Sequence, residues 1–569
     1  MALMLGLGLG IGVAQTAPLR RYSIGGKAPA VVADYSAGVY GLNGTPVAFD
    51  GLFSFARLSA AWKRNALGHW VKVLAGEPRT GHHIWQGGQL VPAGVAICSE
   101  VRTNLVRYSE ALDVSEHWSL SNNAAVESAG ELSGFPAFRL TDANTEGYAR
   151  INQTGVTHGD GEHVFQMLVA KDQSPTSQFS IRLVYSVAEV STASGMTLNV
   201  DTGVVVNLWD SNILERNVED RGDHWFVWFA VDLTGASNIL IQLFPAHNNT
   251  SGEGGPENVG SHICTAVHLH PGRYPQDYIK TEGAAVSVAA ESLQIDSGGL
   301  AKAVGVFGPE LFSPDDTSDG SSAGGAVSVV GDTITCTNTT GTARATNDLT
   351  YEVGEKYLLE FTSSGQPMGV YHGGSLALGT LQDGKNSYLF VAQTDSNQIG
   401  FRNFSAGTTG VVSNVTLRKV TMPEELTFVV KGFMTYEDTS RWGEVILFRL
   451  RKTEPAIEHI AMELATLDAR SGQMYFSHLS NNIQTGGIST AADDKNPGVS
   501  VPFSYAWTIG DGISVAASDG ELFTGSAPTQ LADILGAAVD FTYHGDLCIT
   551  EFAIYVGNPG SAALQEATG

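Results

Sequence analysis

The sequence predicts an all-β protein, tandem β-sandwich modules behind an extended, irregular N-terminal region. Three observations lead there. Glycine is abundant, 66 of 569 residues, well above the usual ~7%. Charged residues are few, at 16%. Short β-rich runs bounded by Gly, Asn, Asp or Pro recur along the chain: RGDHWFVWFAVDL (221–233), ASNILIQLFPA (236–246), EKYLLEFTSS (355–364), NSYLFVAQT (386–394), LTFVVKGFMTY (426–436) and GEVILFRLRK (443–452). β-Branched and aromatic residues in such runs suit pleated, half-buried strands. A parallel α/β sheet needs helical crossovers of about a dozen residues, and only PEELT (423–427) and scattered short pieces tolerate helix.

In chain order, the first element is MALMLGLGLGIGV (1–13), with no charge before Arg20 and Arg21. Gly6, Gly8, Gly10 and Gly12 alternate with Leu5, Leu7, Leu9 and Ile11. Each helical Gly costs about 1 kcal/mol relative to Ala, whereas a period of two fits an extended strand with one apolar face. The run is shorter than the ~20 residues of a membrane span. Leu5, Leu7, Leu9 and Ile11 are therefore expected to form a strand that docks on another surface. A cleaved secretory signal is the competing reading: Gly12 and Ala14 suit a cleavage site, but no Lys or Arg precedes the apolar run. GLGLGIG resembles a dinucleotide-loop string, yet it follows no strand and opens no helix.

Composition sets four domains: an irregular docking and assembly region (1–100), a first strand series (101–300), a smaller second series (301–421) containing the polar stretch SPDDTSDGSSAGGA, and a last series (422–569) ending in the small-residue tail GNPGSAALQEATG.

Asp plus Glu exceed Lys plus Arg by 58 to 32, a net charge of −26, and no basic cluster stands out. That argues against a nucleic-acid or anionic-membrane partner. Cys98, Cys264, Cys336 and Cys548 lie far apart with no CxxC pair, which excludes a zinc knuckle by spacing; free buried thiols formed in a reducing cytoplasm are expected. His262, His268 and His270, and the His82-His83 pair, are read as solvated strand-face residues rather than metal ligands, which need three or four donors with outer support. No metal is expected, although SPDDTSDG (313–320) and AADDKNPG (491–498) carry oxygens that suit Ca2+. No GxSxG elbow, HExxH helix or Walker loop occurs, and the sequence cannot place two carboxylates at a glycosidase separation. A non-enzyme without cofactor is the expectation.

Aromatic faces are the candidates for sugar stacking. Trp225 and Trp228 lie three apart on one strand and point to opposite faces; Trp225 fits the core with Val227 and Phe229, leaving Trp228, beside His224, as the surface candidate. Tyr505 and Trp507 share a face of a later strand. Phe503 continues that stripe, so the competing reading places both rings in the core.

Residues 53–118 carry a spaced pattern: Phe55, Arg57, Ser59 and Ala61; Gly68 to Val73; Pro78 and Arg79; then Glu100, Arg102, Thr103, Asn104, Leu105, Tyr108, Ser109 and Trp118. It resembles a segment of tail-fibre and other structural proteins of tailed phages, with Ala56 and Trp62 departing from the usual residues. GDHWFVWFAVDLTG (222–235), FPA (244–246) and HPGRYPQDYIKT (270–281) resemble carbohydrate-binding-module-like jelly rolls that accompany it. ELFSPDD (310–316), EVGEKYLLEFTSS (352–364) and IGFRNFSAGTTGVVSNVTLRKV (399–420) look like a smaller copy. ELTFVVKGFM (425–434) and DLCITEFAIYVG (546–557) resemble the first and last strands of a concanavalin A-like jelly roll. The resemblance implies a virion protein assembled in the host cytoplasm, a tail fibre or spike that is commonly a homotrimer, contacting other virion proteins and a host cell-surface glycan without catalysis. A capsule-polysaccharide depolymerase and an architectural head or neck decoration protein are the alternatives.

Overall fold

The computed structural model describes residues 19–172, 176–247, 259–349, 352–365, 368–372, 375–378, 381, 383–392, 398–436, 444–452, 457–466, 470–490, 494–541 and 546–569. The docking segment with Leu5, Leu7, Leu9 and Ile11 lies outside these residues. The described chain is antiparallel β-structure in three sandwiches, and its two α-helices, Ser297–Val304 and Ser561–Thr568, have eight residues each.

The two ends of the chain build one sandwich together. In its first sheet, strand Asp546–Val556 pairs along one edge with Glu425–Tyr436. Its other edge is shared: Val31–Asp34 pairs with residues 551–554, and Gln89–Cys98 with residues 546–549. The handover lies at Thr550, whose carbonyl accepts from Tyr35 N at 2.9 Å. Gly94 is required there, because its φ is +78° and a Cβ would stand 2.0 Å from the Ile549 carbonyl oxygen. The second sheet runs in the order Ile483–Ser489, Met474–Ser480, Glu458–Ala465, Glu444–Lys452, Ala538–Asp540, Ser292–Ile295, Ser54–Ala56. One apolar core joins Val31, Tyr35 and Phe53 to Phe428, Trp507 and Phe552. Residues 19–100 are thus not an irregular region but part of the fold of 422–569. Their strands have two to four residues up to Val73, and two of them take distant partners, Val31–Asp34 pairing with residues 551–554 and Ser54–Ala56 with residues 292–294, so no local periodicity announces them.

Two sandwiches are inserted into this composite one. The first pairs a sheet in the order Ser119–Ser121, Arg150–Val156, Ala236–Phe244, Gln178–Val187, Val190–Asn199, Val205–Asp210 with a second six-stranded sheet centred on Glu162–Ala170. Phe165, Trp225, Val227, Phe229, Ile181 and Leu243 fill the space between. The second, between Val306 and Thr421, packs Ile334, Leu359, Phe361, Phe401 and Leu417.

Candidate functional site

The aromatic residues singled out from the sequence are core residues. Trp507 and Tyr505 are fully buried. Their strand, Gly498–Gly510, is interior to the sheet, flanked by Glu425–Tyr436 and Ile513–Ser518, so the Phe503/Tyr505/Trp507 stripe meets Phe476 of the opposing sheet. Trp507 Nε1 donates to Ser514 Oγ at 3.2 Å, and Tyr505 Oη to Asp494 Oδ2 at 3.3 Å. Trp228 points away from Trp225, as its spacing requires, but is also buried, among Trp70, Phe135 and Phe226 with Tyr274 edge-on. His224 is buried against Asp223, its ring nitrogen 2.6 Å from Asp223 Oδ1, and burial lowers its pKa. None of the four offers a free face to a sugar. The reasons differ: Tyr505 and Trp507 face the opposing sheet of their own sandwich, whereas a second layer of chain, which includes Trp70, covers the outward strand face that carries Trp228.

That layer is the phage-like segment. Arg57 Nη1 donates to Glu291 Oε1 at 2.6 Å, and Arg79 grips the same carboxylate with Nε and Nη2 at 2.9 and 2.6 Å. Cys98 N donates to Glu291 Oε2 at 2.7 Å. Arg79 also reaches Asp277 of the first sandwich, and Arg102 lies between Asp277 and Asp546 of the composite sandwich. Burial alone raises Glu291, but Arg79 and Arg57 outweigh it and hold the carboxyl below its ordinary value; burial likewise raises Asp277, and His82, Arg79, Arg102 and Arg64 together hold it well below. Asn104, fully buried, donates to the carbonyls of Ile279 at 2.7 Å and Val267 at 3.3 Å and accepts from Val106 N and Leu269 N at 3.0 and 3.3 Å. Ser109 and Thr281 exchange two hydrogen bonds at 3.0 and 2.9 Å, and Trp118 Nε1 donates to the Tyr108 carbonyl at 3.1 Å. The motif is a joint that fixes the first sandwich on the composite one.

The joint corrects the reading of the histidines. His82, His262, His268 and His270 are buried, not solvated, because the joint and neighbouring loops cover their strand faces. His262 contacts Asp172 Oδ1 at 3.0 Å and the Thr176 carbonyl at 2.9 Å, and burial pushes His82 and His270 down to about 3. His83 stays partly exposed beside the Gly81 carbonyl. Cys98, Cys264, Cys336 and Cys548 are free thiols. Among the described residues no group of three or more His, Cys, Asp or Glu side chains is arranged to hold a metal. In SPDDTSDG, Asp319 accepts from Ser321 N and Val327 N at 2.9 and 3.2 Å; part of AADDKNPG lies outside the described residues.

Sequence reasoning missed two surface patches. On the outer face of the first sandwich, Asn152, Gln242, Arg182, Gly195 and Trp209 form one row across five strands, of which Asn152 and Gln242 are buried and Arg182 and Trp209 partly exposed. Arg182 Nε donates to Gln242 Oε1 at 2.8 Å, and Gln242 Nε2 to Asn152 Oδ1 at 3.0 Å. The Arg182 guanidinium sits 5.0 Å from the Trp209 ring and 4.9 Å from Phe244, and Tyr148 meets Phe244 edge-on. Trp209 stays partly exposed, and the row is bare at Gly195, where a Cβ would lie 2.1 Å from the Ile181 carbonyl oxygen. On the second sandwich, Arg344 and Arg402 stand directly opposite each other on neighbouring strands, both over Tyr371 at 5.4 Å, with Phe404 exposed beside them. Like charges in that register repel, and both Nε atoms are buried without a hydrogen-bond partner among the described residues. The signal lay in cross-strand register, which a linear reading does not contain.

No family model matches the chain, and no curated protein matches it. Among solved structures, the chain is similar to the N-terminal CBM22-1–CBM22-2 tandem domain of Xyn10C from Paenibacillus barcinonensis, at 10% identity and a TM-score of 0.21, over 57% of this chain and 99% of that one. A superposition at that score does not define a shared fold.

Proposed function

We propose that the chain is a non-catalytic structural protein of a tailed-phage particle, a fibre or spike that attaches to host-surface glycans through its inserted sandwiches. The observation that carries the glycan reading is the pair of arginine–aromatic patches. The partly exposed Trp209 beside Arg182, and the exposed Phe404 beside Arg402, each set a ring next to a planar guanidinium, the combination of stacking face and directional polar contact that sugar recognition uses. The phage reading is supported by the segment from Phe55 to Trp118, whose residues make a mount for projecting modules. The carboxylates that the joint brings together, Glu291 and Asp277, are engaged by guanidinium groups and not arranged for acid–base work. Weak single contacts become useful when copies engage together, as in a trimer, because later contacts are then intramolecular.

The test is binding of the full chain to host capsule and to a glycan array, with polysaccharide chain length followed in parallel. Trp209→Ala is expected to lower binding several-fold while the melting temperature stays within a few degrees, since its ring is partly exposed. Shortened polysaccharide would support a depolymerase. Silence on every glycan, with the chain located away from the host-contacting end of the particle, would support an architectural role.

A further inference from the structure

A cavity of ≈ 120 Å³ opens inside the joint, where the first sandwich meets the composite one. Arg64, Arg79, Arg102, Arg221, His82, Glu219, Asp277 and Asp546 contribute its charged and titratable walls. Most of this charge is matched. Arg57 and Arg79 share Glu291, Arg79 also takes Asp277, Arg102 takes Asp546, and Arg221 binds Glu219 Oε2 through Nε and Nη2 at 3.1 and 2.8 Å. Arg64 is the least matched: among the described residues no carboxylate makes a salt bridge with it, and Asp277 and Glu219, already engaged by Arg79 and Arg221, act on it only from farther off. It is 6% exposed, its Nε has no hydrogen-bond partner, and its guanidinium rests 4.6 Å above the Trp70 ring. Five guanidinium groups therefore meet four carboxylates, counting Glu291 behind the wall. The histidines close by, His82 and His224, have pKa values lowered by burial and add no charge at neutral pH. A buried guanidinium that shares its carboxylates with other arginines and touches none of them directly is costly unless something pairs it, and a cation over an aromatic face recovers only part of that cost.

We propose that this cavity is an anion site that takes one carboxylate-sized oxyanion against Arg64 and Arg221. The guanidinium fork suits a carboxylate, which comes either from a free small acid or from an acidic unit of a glycan. Only the second source rests on the glycan reading above. Burial and the neighbouring Arg221, only partly offset by Asp277 and Glu219, lower the pKa of Arg64 to about 9, so the guanidinium remains charged at neutral pH.

The experiment is calorimetric titration and thermal shift of the full chain with sodium acetate, sodium glucuronate and glucose at constant ionic strength, repeated on Arg64→Met, which retains the apolar stem over Trp70. Acetate and glucuronate are expected to bind saturably, one per chain, and to raise the melting temperature, while glucose does neither at this cavity. Arg64→Met is expected to weaken both acids by about tenfold or more and, without added anion, to melt no lower than the parent. Equal affinity for the two acids assigns the site to a free carboxylate; a clear preference for glucuronate assigns it to an acidic sugar. Should Arg64→Met fail to fold, bromide-soaked crystals of the unmodified chain give the second reading, an anomalous peak beside the Arg64 guanidinium. Unchanged acid binding by a folded Arg64→Met, no saturable binding by the parent, or bromide on the surface with none in the cavity overturns the proposal.

Discussion

The two inserted sandwiches are held by different chemistry. The first is fixed by charges withdrawn from water: Glu291 between Arg57 and Arg79, with side chains 0–4% exposed. The second is held by a short helix and a rim of solvated pairs. Ser297–Val304, capped by Asp296 accepting from Gly299 N at 2.7 Å, buries Leu300, Ala301 and Val304 in the composite core beside Leu358 and Val420. The helix ends at Gly305, where the backbone turns extended, and the position admits no side chain because a Cβ there would lie 2.2 Å from Val420 Cγ2. Lys356 of the second sandwich meets Asp533 of the composite one, whose side chain is 44% exposed and which also pairs with Lys452 of its own sandwich. An apolar contact tolerates small displacement, whereas a buried carboxylate gripped by two guanidiniums leaves little freedom in angle. The first joint therefore sets orientation, and the second mainly supplies adhesion between modules.

The contrast is broken most severely at Glu291. Glu291→Gln leaves two buried guanidiniums facing an amide, and removing one partner of such a pair typically costs about 3–5 kcal/mol. Chemical denaturation should show that loss in the transition that unfolds the composite and first sandwiches.

Acid sharpens the comparison. His82 and His270 fall to about 3 in the fold from an ordinary 6.5, so the unfolded chain binds more protons between those values. Their contribution is fully present above about 6.5 and is lost as pH falls toward 3. Glu291 and Asp277, also depressed, add a second loss below about 4, where unfolded carboxylates protonate. The second sandwich, residues 306–421, has His372 as its single histidine. Melting curves between pH 7 and 4 should show the first sandwich and its joint losing stability before the second sandwich.

The smallest effect is expected at the second joint. Asp533→Asn removes two partly exposed ion pairs, worth about 0–1 kcal/mol each, and should shift the midpoint by no more than a few degrees. A loss as large as that of Glu291→Gln would erase the distinction.

Strand-rich runs were legible because alternation and bounding turns are local. His224–Asp232, Ala236–Phe244, Lys356–Gly365 and Glu425–Tyr436 lie where the pattern put them. The phage-like segment was legible as a pattern but not as a joint, since Arg57 and Arg79 find Glu291 more than 200 residues later. Alternation placed Trp228 on the face opposite Trp225 but could not show that the face is covered. The Arg344–Arg402 juxtaposition depends on register between strands that are not consecutive, and Arg182–Trp209 on register carried through two successive hairpins; no spacing rule encodes either.

The central claim is that the segment from Arg57 to Ser109 locks two sandwiches into one body. Native-state amide hydrogen exchange on the unmodified protein, in rising sub-denaturing denaturant, tests it most directly. The amides of Cys98, Val106, Ser109 and Leu269 donate to Glu291, Asn104, Thr281 and Asn104 side chains. They should exchange only with the largest opening, together with the cores of both sandwiches, whereas Gly305 N, bonded to the Ala301 carbonyl, should exchange through a smaller one. Joint amides that open well before either core would contradict the claim.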